Sequence, residues 1–476
     1  MLTTRAPQHR PANVGRNDAK RKGAVEMSSR PKRSGEPGSD AARGHRIPDR
    51  RSAASGMTRV VGIVVEADIL PCPDAMNMTT GAMSENAATR AERRGRAANF
   101  VLGRFARALS DSPVAFDVHL PDGSVQHFGR GPPSFRVALK NENGIRALTS
   151  FDEGRIGDAY LAGDLDIDGD MLSPFRLRES MGDFHLLTSL WRFAQPLLFG
   201  QMRTNKGAIS SHYDIDPDFF LSFLDPKTPC YTQGVYLSAE ESLDVATLRK
   251  FDYCFDRLRL KPGDRILEVG PGWGAWFEYA SARGVKCTGI SISQTSIDYL
   301  NRRAKHLGYD WELVYSDFLN YETQRKYDAI VIMGVIEHLP QYDRVAQKFA
   351  SLLKPDGNIF LDGSACTKKY ELSSFMVKHI YPGNHSFLVL HDFLAAIART
   401  PLRPLEICND RYSYFLTFQQ WARNFDRNRD EVIGRFGEFN YRRFRLYLWG
   451  AAYEFLSRSL DCYRMILHNP GADAMV

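Results

Sequence analysis

The stretch Asp264-Arg-Ile-Leu-Glu-Val-Gly-Pro-Gly-Trp-Gly-Ala275 constrains this chain more than any other. Arg265 to Val269 is a short apolar run that predicts a buried strand, and Ala275 to Arg283 predicts a helix. Gly270, Gly272 and Gly274 between them predict a turn free of Cβ atoms. A strand that breaks through glycines into a helix lets bare backbone approach a ligand at the strand's carboxyl end. The spacing is Glu-x-Gly-x-Gly-x-Gly and not Gly-x-Gly-x-x-Gly. An acid, Glu268, just ahead of a tight Gly-x-Gly suits a ligand with a cationic amino-acid head better than a pyrophosphate. S-adenosylmethionine (SAM) is such a ligand. Taken alone, the turn has a plainer explanation as a tight strand-to-helix connection.

The chain around it decides between the two. Strand candidates recur at Arg265–Val269, Lys286–Ile292, Trp311–Tyr315, Ala329–Met333 and Asn358–Leu361, with helical stretches between most of them. That alternation predicts an α/β fold, a doubly wound, mostly parallel sheet with helices on both faces. Ligands of such sheets sit at the carboxyl ends of the strands. There the second strand offers Ser291, Ser293 and Gln294 for a ribose, the third offers Asp317 and Phe318 for an adenine's amino group and face, and the fourth leads into Glu337 and His338. Four strand ends agree on a SAM site.

The flanking segments differ in character. Residues 1–90 are rich in Arg, Pro, Gly, Ser and Ala and hold few aromatic residues, which predicts a disordered basic tail; Met57 and Met83 are alternative starts. The net charge of +6 is concentrated there. Residues 1–60 carry fourteen Lys/Arg against five Asp/Glu, leaving 48 against 51 elsewhere, about −3, so nucleic-acid binding is not indicated. Residues 91–185 predict a small α+β domain with a hairpin at Val114–Leu120 and Val125–Phe128, preceded by a basic amphipathic segment, Arg93–Leu109, suited to a lipid surface or to packing on its own domain. Residues 186–211 predict a helix and linker, and 212–476 the catalytic domain. Seven scattered cysteines, no metal-ligand spacing, no secretory leader and no run of eighteen apolar residues predict a reduced cytoplasmic protein without a metal or a membrane span.

From about Val114 to about Asn469 the sequence resembles the cyclopropane fatty acid synthases, the branch of SAM-dependent methyltransferases that includes the mycolic acid cyclopropane synthases. The resemblance is carried by His212-Tyr-Asp-Ile-Asp-Pro-Asp-Phe-Phe, Phe223-Leu-Asp-Pro226, Tyr231-Thr232, the Leu258–Gly274 segment, Glu337-His338, Leu353-Lys-Pro-Asp-Gly357 and, in the smaller domain, Tyr160–Asp170. It implies a class I, Rossmann-like methyltransferase core holding SAM through Tyr231, Thr232, Glu268, Gly270, Gly272, Gly274, Ser291, Ser293, Gln294, Asp317 and Phe318. It also implies methyl transfer to the cis double bond of an unsaturated acyl chain of a membrane phospholipid or other lipid. The enzyme would touch the inner face of the membrane peripherally, and a homodimer is compatible with this picture.

Of the thirteen aromatic residues singled out between Phe375 and Trp449, two or three are expected to line an acyl tunnel, the rest to pack the core. In the family a bound bicarbonate removes a proton to close the ring. Its holders correspond to Glu337 and Tyr414, whereas other positions of that site fall here on Gln233, Gly363 and Ala451. These departures leave SAM binding untouched and bear on the bicarbonate, hence on cyclopropane against a methyl-branched product. Two other functions remain compatible: methylation of a small amine or natural product with Glu337 and His338 as base, and a non-catalytic lipid- or SAM-binding homologue. The amino-terminal domain favours lipid. Catalytic candidates are therefore Glu337, Tyr414, His338 and Gln233.

Overall fold

The computed structural model describes residues 112–180, 216–368, 373–381 and 385–471, with the isolated positions 103 and 109, all within the unit Ala82–Val476. The tail of residues 1–90, the helix and linker of 186–211 and nearly all of Arg93–Leu109 lie outside the described residues.

The first sheet is built from β1 (Phe116–His119), β2 (Val125–Phe128), β3 (Phe135–Leu139) and β4 (Leu165–Gly169), in the order β2-β1-β3-β4. The expected hairpin joins β1 to β2. Its turn closes with Leu120 N–H donating to the Ser124 carbonyl, while Gly123 takes φ +86° and the Asp122 carboxylate accepts from Ser124 N–H. Residues alternate in and out along β1, and Phe116 stacks between Phe128 at 5.0 Å and Phe135 at 4.8 Å. Between β3 and β4 run two helices, Glu142–Thr149 and Glu153–Ala162. Asn141 and Asp152 cap their starts with side-chain oxygens, and Gly163 ends the second in the left-handed region.

The second sheet has seven strands: β5 (Arg265–Val269), β6 (Lys286–Ser291), β7 (Glu312–Tyr315), β8 (Tyr327–Met333), β9 (Leu353–Ala365), β10 (Arg403–Asn409) and β11 (Asp461–His468). Their order is β10-β11-β9-β8-β5-β6-β7, with β5 to β9 parallel. The doubly wound sheet expected from the alternation is present. Ile266 and Leu267 of β5 and Ile330, Val331 and Ile332 of β8 are wholly buried, as strands covered by helices on both faces must be. The chain leaves β5 toward β6 on one side, while β8 returns on the other. The crevice above β5 and β8 is therefore the topological switch point, where ligands of such sheets bind.

Strands β10 and β11 were not expected from the sequence. Both pair antiparallel, β11 against β9 and β10 against β11, and β10 carries Pro404 at a bulge on the outermost position. A largely exposed edge strand broken by a proline gives almost no periodic signal.

Helices Arg411–Arg427 and Glu438–Ser457 pack on each other, and the latter carries the first sheet's domain. Arg442 donates to the carbonyls of Tyr160 and Leu165 and to the Asp166 carboxylate at 2.6 Å. Arg445 donates to the Ile167 carbonyl, the Tyr160 hydroxyl and, at 2.8 Å, Asp426. Removing one member of such a half-buried pair strands the other. Arg445→Ala should lower unfolding stability by roughly 2–4 kcal/mol in urea titration and speed amide exchange over β4.

Candidate active site

At the carboxyl end of β5 the chain turns through Gly270 at φ +73° and Gly272 at φ +54°. A Cβ on Gly270 would meet Val335 Cγ2 at 2.5 Å, whereas one on Gly272 would project into open space. That space is a cavity of about 180 Å³ lined by Tyr231, Thr232, Glu268, Gly270, Gly272, Ser291, Ser293, Asp317 and Phe318, all expected cofactor residues. Gly274 and Gln294 do not line it. Gly274 is a packing glycine whose missing Cβ makes room for Leu300 Cδ2 at 2.6 Å, and the Gln294 amide turns outward to Asp298 at 2.8 Å. Several hydroxyls also serve the fold. Ser293 caps helix Gln294–Leu307 through Ser296 N–H, and Ser296, not anticipated, donates to the Gly272 carbonyl at 2.7 Å and pins the glycine turn.

Glu268 is 3 % exposed, and its Oε2 is buried without a hydrogen-bond partner. Burial pushes its carboxyl far above the usual range, with the Lys250 ammonium opposing that shift. A cationic amino group delivered to this cavity would supply the missing charge. Together with the open face of Gly272, this acceptor makes the residues present fit SAM.

A second cavity, about 740 Å³, lies beyond the first, and Tyr231, Gly334 and His338 line both. Glu337, Tyr414, Ser364 and Ala451 line the larger one. So do more than half of the aromatic residues singled out in the carboxyl half, among them Tyr381, Phe387, Phe418, Trp421 and Tyr447, well beyond the two or three expected. The small domain supplies a wall through Ile156, Gly157, Tyr160 and Phe175. The ring of Tyr231 packs 5.2 Å from Trp421, and Tyr414 lies 4.8 Å from Phe418.

Glu337 follows β8 in a short turn of 3-10 helix, Ile336–His338, fully enclosed. Its Oε1 accepts from Ser364 N–H at 2.7 Å while Oε2 has no hydrogen-bond partner. Burial raises its pKa to about 7, with a smaller push from the Asp362 charge. Burial likewise lowers His338 to about 4, so the ring is neutral at pH 7; its Nδ1 lies 3.2 Å from His385 Nδ1. His385, stacked on Tyr381 at 4.5 Å, came from a stretch with no motif. Burial also raises the Tyr414 hydroxyl well above its usual range.

The fourth catalytic candidate is elsewhere. Gln233 is wholly buried and lines neither cavity; its amide lies against Asp410 without a well-formed hydrogen bond. A side chain at Gly363 would strike Ile336 Cγ2 at 2.5 Å. Of the positions that the resemblance assigned to bicarbonate, Glu337 and Tyr414 line the larger cavity, Gln233 faces away, and Gly363 and Ala451 offer no polar side chain, so the residues present do not complete its site.

Beneath the shared wall lies an ion pair that sequence reasoning missed. Lys250 and Asp362 are both fully buried, 3.3 Å apart. Lys250 Nζ also donates to Thr232 Oγ1 at 2.5 Å, and Asp362 Oδ1 accepts from Gly334 N–H at 3.0 Å. A signal existed: Lys250 shares the inward stripe of helix Leu243–Arg257 with Leu243, Ala246, Thr247 and Cys254. Cys230 lines the smaller cavity and Cys366 the larger, and both thiols are held by local partners. Among the described residues no cluster has a metal's ligand set, and no helix is long and apolar enough to cross a membrane.

The parallel sheet, its switch-point glycine turn and the unpaired acid define a class I SAM-dependent methyltransferase. A family model described as mycolic acid cyclopropane synthetase matches residues 201–465, more than half of the chain, and the chain belongs to that family. A domain of unknown function, DUF7884, matches residues 105–174. The sphingolipid C9-methyltransferase of Candida albicans is 26% identical over 360 residues, covering 70% of this chain and 69% of that one. The hydroxymycolate synthase MmaA4 of Mycobacterium tuberculosis is 29% identical over 311 residues, covering 59% and 98%. The structure of the cyclopropane synthase MmaA2 from Mycobacterium tuberculosis aligns with a TM-score of 0.52 at 23% identity, over 55% of this chain and 98% of that one, and supports the fold.

Two outcomes follow from the buried charges. Lys250→Met leaves Asp362 buried and unpaired, so it should cost about 3–5 kcal/mol in chemical denaturation. Glu337 has a folded pKa raised above its unfolded value, so its ionisation opposes folding as pH rises from the ordinary carboxylate range through about 7. Glu337→Gln should therefore be more stable than the parent at pH 8, by roughly 2–3 kcal/mol, and near equal at pH 4. Thermal melts at the two pH values check this.

Proposed function

We propose that this enzyme methylates the cis double bond of an unsaturated acyl chain in a membrane lipid, working in peripheral contact with the bilayer. The observation that carries this is the pair of cavities sharing Tyr231, Gly334 and His338: a small one that reaches the Glu268 carboxyl for the donor, and a large aromatic-lined one for the acceptor. SAM supplies an electrophilic methyl group when bound. The shared wall holds the alkene against it with water excluded, which is what a weak nucleophile requires. Addition leaves a carbocation on the acyl chain, and the rings of Tyr231, Tyr414, Phe418 and Trp421 present π faces that stabilise positive charge.

The chain then has to lose a proton. Glu337 Oε2 is buried and lines the acceptor cavity without a hydrogen-bond partner, so it is the base, and no bicarbonate is invoked. Loss of that proton from the added methyl closes a cyclopropane; loss from a neighbouring carbon leaves a methyl-branched alkene. Neutral His338 and the aromatic wall serve positioning. A large apolar acceptor space favours lipid over a small amine.

Incubation with labelled SAM and dioleoyl phospholipid vesicles, followed by mass spectrometry of the fatty acid methyl esters, tests the proposal. The expected product has one added CH2 per modified chain. Reaction with dimethyl disulfide then separates a retained double bond from a ring, and absence of label in lipid refutes the proposal. Because the base must be ionised, turnover should rise with pH through about 7, and Glu337→Gln should lose at least about a hundredfold in kcat.

A further inference from the structure

Three arginines follow each other closely on helix Glu438–Ser457, and two are saturated. Arg442 pairs with Asp166 and Glu438, and Arg445 with Asp426. Arg443 is different. Its Nε is buried with no hydrogen-bond partner, and no carboxylate of the described residues pairs with its guanidinium. Burial alone lowers its pKa, with no acid offsetting it. Holding a half-buried cation without a counter-charge costs stability, so such a position marks a place for an anion from outside.

The surroundings say which anion. Arg443 stands one helical turn before Leu446 and Tyr447, which line the large cavity. Lys378 and His379 follow Phe375 and Met376, also cavity residues, and both hold Asp158 at 2.6 and 2.8 Å. Asp158 itself follows Ile156 and Gly157 of the same wall. Arg443 is near enough to His379 for its charge to act on that ring. None of the four lines the cavity itself, but each stands one to three residues from one that does, and together they set Arg443, Lys378 and a histidine from two elements against the single carboxylate of Asp158. Elsewhere along the cavity, Arg178 is already matched by Glu153 and Glu454.

We propose that Arg443, with Lys378 and His379 beside it, binds the phosphate of the lipid whose acyl chain occupies the cavity. This rests on the lipid acceptor proposed above. A half-buried guanidinium bonded to a phosphate oxygen contributes about 1.5–3 kcal/mol, that is, tenfold or more in affinity.

Calorimetric titration of the full-length protein with dihexanoylphosphatidylglycerol, which is monomeric, reads the site without turnover. Arg443→Gln should bind it about tenfold more weakly, and Arg443→Lys should recover part of the loss. Equal affinity in parent and Arg443→Gln overturns the proposal. So does inorganic phosphate binding as tightly with the same dependence on Arg443, which would make this a free-phosphate site. In turnover, the ratio of kcat/KM for dioleoylphosphatidylglycerol to that for dioleoylglycerol should fall about tenfold in Arg443→Gln. Equal loss on both substrates overturns it. The Tm of Arg443→Gln should fall by little, because no ion pair is removed and only the contact of the guanidinium with the Phe444 ring, 5.3 Å away, is lost. If the parent methylates no lipid at all, the acceptor proposal fails while the titration still decides the headgroup site.

Discussion

A fully buried ion pair sits behind the wall that the two cavities share. Lys250 and Asp362 lie 3.3 Å apart with no solvent contact, and both are hydrogen-bonded to the partition between the cavities. Lys250 reaches Thr232, beside Tyr231, and Asp362 reaches the Gly334 amide at the end of β8. Tyr231 and Gly334 belong to both cavities, so the pair fixes the relative place of the two surfaces between which a methyl group would pass. A buried ion pair adds little net stability compared with a well-packed apolar pair. Its value is geometric, since leaving either charge alone is far more costly than keeping them together.

The same low-dielectric interior tunes the proton chemistry. Burial lifts Glu337 to about 7 and drops His338 to about 4. An acid that is partly ionised near neutrality and a ring that is not charged stand next to each other in sequence. Their shifts come from enclosure more than from specific partners, so they depend on the surrounding aromatic packing staying intact.

Much of this was legible in the sequence, for reasons that can be named. Strands β5 and β8 hold the buried runs Ile266–Val269 and Ala329–Met333 and lead straight into Gly270 and Gly334, so their carboxyl ends could be read directly. The glycine turn and Glu268 were read as a cofactor site because glycines and an adjacent acid are local in sequence; the structure adds the positive φ of the glycines and a Glu268 Oε2 without a hydrogen-bond partner. What escaped depends on distant pairing. β10 and β11 exist because β9 offers them an edge, and no local pattern announces that. Gln233 stands beside Thr232 in the chain, yet its side chain is buried toward Asp410 instead of facing a cavity. Gly274 and Gln294 were read as ligand contacts by adjacency, whereas one yields space to Leu300 and the other caps nothing but its own helix surface through Asp298.

The docking of the first sheet through Arg442 and Arg445 makes one wall of the larger cavity from a part of the chain distant in sequence. At that wall Gly157 already has Phe375 Cδ2 within 3.1 Å of where a Cβ would stand. Every methyl group added there shortens the space, while the partition near the donor is untouched. If the larger cavity takes the acceptor as proposed, its length is set apart from the chemistry at the partition, and the two can drift independently over evolutionary time.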